Sequence, residues 1–255
     1  MEWRKAIIIL IISFLALNLF LLGNWWLGNE PTGEFALTKE QQQEIAELLS
    51  KKGVKLDTRI PSEGEPQAFL EVAYQGVDEI KVAEDFFGKD LVPAAEPLEG
   101  GKSFTSGEKQ LIVMENGIIS FYDKGKNAAP PDLSEEKAVE MAEAFIKAHG
   151  GFPEDAKLNS TTYDQKSGGF LIGYVRNYEG FFIANSYIDV VVTPAGVKSY
   201  YQLWLNPVGY AGKKRSVISP LTAILRAISE AGDREVIAIT QIQQGFYTKF
   251  YDADK

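Results

Sequence analysis

The sequence of 255 residues contains no cysteine and a single histidine. The first absence excludes disulfide frameworks, thiolate metal sites, zinc ribbons and a cysteine nucleophile. The second excludes a histidine-rich metal centre and leaves a Ser-His-Asp triad resting on His149 alone. Basic residues are also short: 26 Lys and Arg face 35 Asp and Glu, a formal charge of −9. Phosphate contacts need a cationic surplus, so a nucleic-acid partner is not expected. No G-x-G-x-x-G or Walker-type run occurs. The apolar fraction of 45% and charged fraction of 24% suit a globular chain.

The largest local asymmetry is at the start. Ala6 to Leu22 carries no charge, with Ser13 and Asn18 its only polar residues. Extended to Leu27 the run is about 22 residues, or roughly 33 Å as a helix, enough for a hydrocarbon core of about 30 Å. Residues 6–27 are therefore expected to be a transmembrane helix after a cytoplasmic stub, 1–5. Arg4 and Lys5 precede the run and no basic residue follows until Lys39. That charge bias places the N-terminus in the cytoplasm and the bulk outside. Trp3 at one end and Trp25 and Trp26 at the other suit the two interfaces. The apolar run exceeds the length of a cleaved leader and no A-x-A-like site follows, so it reads as an uncleaved signal anchor. Asn18 lies within it, as a donor to a neighbouring helix or as an amide satisfied by water or its own backbone.

Setting aside Glu2, Arg4 and Lys5, the exterior part has a net charge of −10. Lack of disulfides outside a cell fits a bacterium better than a eukaryotic secretory route, and the Asn159-Ser160-Thr161 sequon reads as accidental.

Residues 28–37 read as a linker. Thr38 and Gln41 form a capping-box pattern opening a helix to Lys52. Ala68 to Gln75 reads as strand and Asp78 to Phe87 as a short helix. Lys109 to Glu115 and Ile118 to Asp123 flank Asn116-Gly117, a strong hairpin signal. The small, Pro-containing stretch Gly125 to Pro131 suggests a boundary between a first module, 38–126, and a second, 132–255. Ser134 caps a helix over Glu135 to His149, ended by Gly150-Gly151. Strands follow at Asn159–Lys166, Gly169–Asn177, Ser186–Thr193 and Val197–Leu205. Ser219-Pro220 opens a helix to Ala231, and strands at Val236–Gln243 and Phe246–Tyr251 close the chain.

One pattern repeats. Gly117-Ile118-Ile119-Ser120-Phe121-Tyr122 and Gly196-Val197-Lys198-Ser199-Tyr200-Tyr201 both read Gly, apolar, any, Ser, aromatic, Tyr. Each lies in a hairpin downstream of a helix, read here as Thr38–Lys52 and Ser134–His149. An α+β fold in which a helix on an antiparallel meander is used twice explains the echo.

Catalytic signals are weak. Ser134-Glu135-Glu136-Lys137 matches S-x-x-K, but no S-D-N or K-T-G accompanies it, and capping explains Ser134. His149, in a last helical turn, is explained by the helix dipole. No catalytic, cofactor or metal residue is assigned. Lys213-Lys214-Arg215 reads as a solvated connector. Trp204 is either core or binding surface.

The start, Met1 to Lys5 followed by Phe14-Leu15-Ala16-Leu17-Asn18-Leu19-Phe20-Leu21, resembles the YycI family of Gram-positive bacteria. So do the tail segment Ile218-Ser219-Pro220-Leu221-Thr222-Ala223-Ile224, the residues Ile239, Ile242 and Gly245-Phe246-Tyr247, and the order of elements. Gly180-Phe181-Phe182 departs from related modules, which often have a nearby proline. The resemblance implies a single-span cell-membrane protein with two extracellular PepSY-like modules and no cofactor. It implies partners in a WalK-like sensor histidine kinase, a YycH-like membrane protein and the lipid bilayer, and a role in two-component control of cell-wall metabolism. The implied contacts run through the span, at Phe14, Asn18, Leu21, Trp25 and Trp26, with Arg4 and Lys5 fixing topology. A second expectation is an exterior module that binds or inhibits a wall hydrolase or protease.

Overall fold

The computed structural model describes residues 38–126, 133–231 and 237–248. In chain order the elements are α1 (Lys39–Ser50), β1 (Val54–Leu56), β2 (Gln67–Ala73), α2 (Glu79–Phe87), β3 (Ala95–Leu98), β4 (Gly101–Ser106), β5 (Lys109–Met114) and β6 (Ile119–Asp123). There follow α3 (Glu135–Ala148), β7 (Ala156–Asp164), β8 (Gly169–Tyr178), β9 (Phe181–Thr193), β10 (Gly196–Leu203), β11 (Asn206–Arg215), α4 (Pro220–Ala231), β12 (Ile237–Ile239) and β13 (Gly245–Phe246). The class is α+β with mainly antiparallel pairing. Among the described residues no helix is long and apolar enough to cross a membrane. The expected stub, span and linker, 1–37, lie outside the described residues.

The described chain divides into two compact units. The smaller joins residues up to Gly64 to Ile218–Ile242. Helix α1 starts as its sequence dictates: the Thr38 hydroxyl accepts from Gln41 N–H at 3.3 Å, and Gln41 Oε1 accepts from Thr38 N–H at 2.9 Å. Helix α4 starts likewise, with Ser219 Oγ accepting from Thr222 N–H. Strands β1 and β12 pair in parallel, Val54 beside Ile237 and Leu56 beside Ile239. Buried Leu49, Val54, Ile60 and Ile224 form the core, flanked by Ile45 and Ile228.

The larger unit holds Glu65–Val217 and the residues from Gln243. Eight strands run in the order β3-β4-β5-β6-β10-β9-β8-β7, and β13 adds in parallel to one end of β9. The order is two meanders, β3 to β6 and β7 to β10, joined through their last strands. At the joint Ser199 lies opposite Tyr122, Tyr200 opposite Phe121, and Tyr201 opposite Ser120. The two echoed sequences thus pair with each other, Ser to Tyr, aromatic to aromatic, Tyr to Ser, a local pseudo-two-fold relation.

This joint corrects the expected division at 126 and 132. Both meanders belong to one sheet and share one core, so no boundary falls between them; residues 127–132 lie outside the described residues. The helix that precedes the first meander is α2, whereas α1 belongs to the smaller unit. Chain order alone suggested α1, the first helix ahead of the meander.

Helices α2 and α3 contact the sheet strands. Asp78 caps α2, accepting from Ile80 N–H and Lys81 N–H, and Gly88 ends it at φ 89°. Ser134 caps α3, as expected. Ala138, Ala142 and Ile146 are fully buried at helical spacing, the alanines letting the backbone approach the strands. Phe86 of α2 stands 5.3 Å from Phe121, 5.7 Å from Tyr200 and 5.9 Å from Phe145. One ring therefore ties both helices to both last strands. Burying each such side chain contributes about 1.5–3 kcal/mol.

Four strands escaped the sequence reading, the short β1 among them. Strands β3 and β4 are a short hairpin, and β11 pairs antiparallel with β2 as a separate ribbon. Lys213-Lys214-Arg215 is therefore the end of a strand rather than a connector. The hairpin between β8 and β9 turns at Glu179 and Gly180, with φ of 52° and 89°. Gly180 supplies there what a proline could not.

Candidate functional site

A cleft of about 530 Å³ opens at one end of the joint between the meanders. Its walls come from one face of α2 (Asp78, Lys81, Val82, Asp85), the start of β6 (Gly117, Ile119), the residues after α3 (His149, Gly150, Gly151), and Arg176, Gln202 and Trp204. Spacings of three, four and seven residues put Lys81, Val82 and Asp85 on the side of the helix that the cap residue Asp78 begins.

Gly117 fixes the floor. It sits at φ 86°, and a Cβ added there would lie 2.0 Å from the Gln75 carbonyl oxygen. Neither the conformation nor the space admits a side chain.

Arg176 is held on three sides. Its Nε donates to Asp155 Oδ2 at 2.6 Å and its Nη1 to the Leu205 carbonyl at 2.5 Å. Its guanidinium lies 5.5 Å from the centre of the Trp204 ring. Trp204 is 7% exposed and belongs to the core cluster, so it is a buried support with that ring face taken.

His149 caps the end of α3. The Phe145 carbonyl can only accept, so Nδ1 carries the hydrogen of their 2.7 Å bond. Nε2 is then the nitrogen left for the cleft. The imidazole stacks 3.9 Å from Phe145 and lies 4.8 Å from Phe86. Behind the cleft Tyr200 donates to Gln202 Oε1, leaving the Gln202 amide N–H groups as donors. Burial pushes the Tyr200 phenol far above its ordinary range.

Lys81 and Asp85 complete the set with one charge of each sign. The cleft thus offers cationic, anionic and amide groups over an apolar floor. It can hold a small polar molecule or a peptide segment. Among the described residues no cluster of three or more His, Asp or Glu could hold a metal ion.

The S-x-x-K residues are occupied elsewhere. Ser134 Oγ accepts from Lys137 N–H at 3.3 Å, and Lys137 Nζ pairs with Glu140 at 2.8 Å. That pairing, with the hydrogen bond first and the charge second, holds the Glu140 carboxyl below its usual range. The expected contact and topology residues Arg4, Lys5, Phe14, Asn18, Leu21, Trp25 and Trp26 lie outside the described residues. Asp155 and Arg176 went unnoticed in the sequence, since no local pattern links two residues 21 positions apart.

A family model described as YycI protein matches residues 34–255. No curated protein and no solved structure matches the chain.

Proposed function

The chain belongs to the YycI family, and we propose that it is a non-enzymatic, single-span membrane regulator. In this reading it associates with a WalK-like sensor histidine kinase and a YycH-like partner, and modulates two-component signalling in cell-wall homeostasis. The family match over residues 34–255 carries the proposal. The apolar run 6–27 supports the anchor, with Arg4 and Lys5 inside and the acidic bulk outside. The two helix-and-meander halves are read as the PepSY-like modules.

Physically, such a regulator acts by lateral association. It shifts a kinase between states only if it binds one of them better. Contacts through Phe14, Asn18, Leu21, Trp25 and Trp26 would supply that preference within the bilayer. The test is a span exchange. With Ala6–Leu22 replaced by a foreign transmembrane helix, co-purification with the kinase and the YycH-like partner should be lost. Undiminished association would remove the span from the mechanism.

The cleft favours a second reading, an exterior binding module acting on a wall hydrolase or protease. Its 530 Å³ volume and mixed charges suit a peptide segment. Lys81→Ala with Asp85→Ala should then abolish the effect on such an enzyme while leaving kinase association intact.

A further inference from the structure

The ribbon β2–β11 ends in the cluster Lys213-Lys214-Arg215, all three exposed in a chain of net charge −9. Among the described residues none of the three makes an ion pair. Exposed apolar side chains accompany the cations: Phe69 at 63% and Val217 at 37% exposure. Phe69 and Arg215 are built together, with the guanidinium 5.3 Å from the ring centre. Beside them a groove of about 270 Å³ is lined by Phe69, Val217, Phe181 and Phe246. The last two rings lie 6.0 Å apart.

An aromatic groove bordered by Arg215, with Lys213 and Lys214 just before it on the same strand, is amphipathic in the sense that an interfacial membrane contact requires. The apolar side chains enter the headgroup boundary and the cations meet anionic headgroups. The chain's net negative charge does not oppose this, because charges beyond about 8–10 Å are screened at physiological salt. Glu71 is exposed on the same ribbon, so the cluster is locally but not uniformly positive. We propose that the Lys213–Arg215 end of the β2–β11 ribbon, with Phe69 and the adjoining groove, docks onto the surface of an anionic lipid bilayer.

The proposal rests on the anchored reading, in which the chain is held at a membrane. Docking and anchoring are nevertheless read separately. The chain lacks cysteine, so Val217→Cys introduces a single attachment site for an environment-sensitive fluorophore. The labelled full-length chain is reconstituted into phosphatidylcholine vesicles with and without phosphatidylglycerol. Flotation after an alkaline wash reports the anchor in both. Docking predicts a blue shift, and quenching by nitroxide lipids, only with phosphatidylglycerol, and reversal by high salt. Each cation near such a surface changes the docked-to-undocked ratio about fivefold, so the triple change of Lys213, Lys214 and Arg215 to Gln should lower it about a hundredfold. An unshifted label in a chain that still floats would overturn docking alone. So would an equal shift in the triple variant. A shift produced by soluble poly(glycerol phosphate) without phosphatidylglycerol would overturn the lipid surface in favour of a polyanion. Failure to float would overturn the anchor.

Discussion

The two halves of the large sheet follow one plan at different scales. The first has a helix of 9 residues and strands of 4, 6, 6 and 5. The second has a helix of 14 residues and strands of 9, 10, 13 and 8. Their last strands remain alike in sequence and pair in symmetric register, while the outer strands share nothing recognisable. The difference follows from burial. At the joint each strand has neighbours on both edges and helices over Phe121 and Tyr200, so side-chain size is constrained. At the rim, β3 is exposed along its whole length and carries Pro97, a residue tolerated where no ladder bond is required. The cleft is a product of the same inequality. It lies where the short helix of the first half faces the C-terminal end of the long helix of the second.

The heaviest blow to this arrangement should be Phe86→Ala. It removes the ring shared by both halves, and denaturant unfolding of the large unit should lose about 3–5 kcal/mol. A loss below about 1 kcal/mol would mean that the halves are stabilised independently.

A glycine pair sharpens the comparison further. Gly117 and Gly196 hold equivalent places in the echo, both at positive φ. A Cβ at Gly117 meets the Gln75 carbonyl oxygen at 2.0 Å, whereas at Gly196 it meets only the Lys126 side chain at 3.5 Å. Gly117→Ala should cost about 2–3 kcal/mol and Gly196→Ala about 1 kcal/mol, from the backbone conformation alone. Equal costs in parallel melts would show that the contact beneath Gly117 is relieved without loss.

The smallest effect belongs to the second half only. Tyr174 is buried, T-stacked at 5.1 Å on Phe152, and its hydroxyl finds no partner among the described residues. Tyr174→Phe should therefore stabilise by about 1 kcal/mol. Burial first, and the charge of Glu143 second, push its phenol up to about 12. An unfolded tyrosine ionises near 10. Stability from Tyr174 is thus complete below about pH 10 and declines as pH rises toward 12. A pH series should show that alkaline decline weakened in Tyr174→Phe. An unchanged profile would assign it to other groups, the equally buried Tyr200 first.

What could be read from the sequence was local. Caps at Thr38 and Ser134, the Asn116-Gly117 hairpin and the helix at Glu79–Phe87 all depend on neighbours within four residues. The echo was legible because its aromatic and glycine positions answer to one shared core. Strand β11 was not legible, since Pro207, Gly209 and Gly212 with three cations have the composition of a connector; only its pairing with β2 makes it a strand. The division into units was equally hidden, because Val54 and Ile237 meet across most of the chain. The cleft suffered most. Lys81, His149, Asp155 and Arg176 are separated by long intervals, and each alone has an ordinary explanation on its own element. His149 was legible as the end of a helix and Trp204 only as core or binding surface; the contact with Arg176 and the burial of its ring assign Trp204 its place.

The measurement that bears most directly on the central claim is kinase activity in a reconstituted membrane. The WalK-like kinase is placed in vesicles alone, with the full-length chain, and with the chain carrying a foreign span. Regulation through the membrane predicts that the full chain changes the autophosphorylation rate and that the exchanged span abolishes the change. An autophosphorylation rate unaffected by saturating full-length chain, alone or with the YycH-like partner present, would contradict the account.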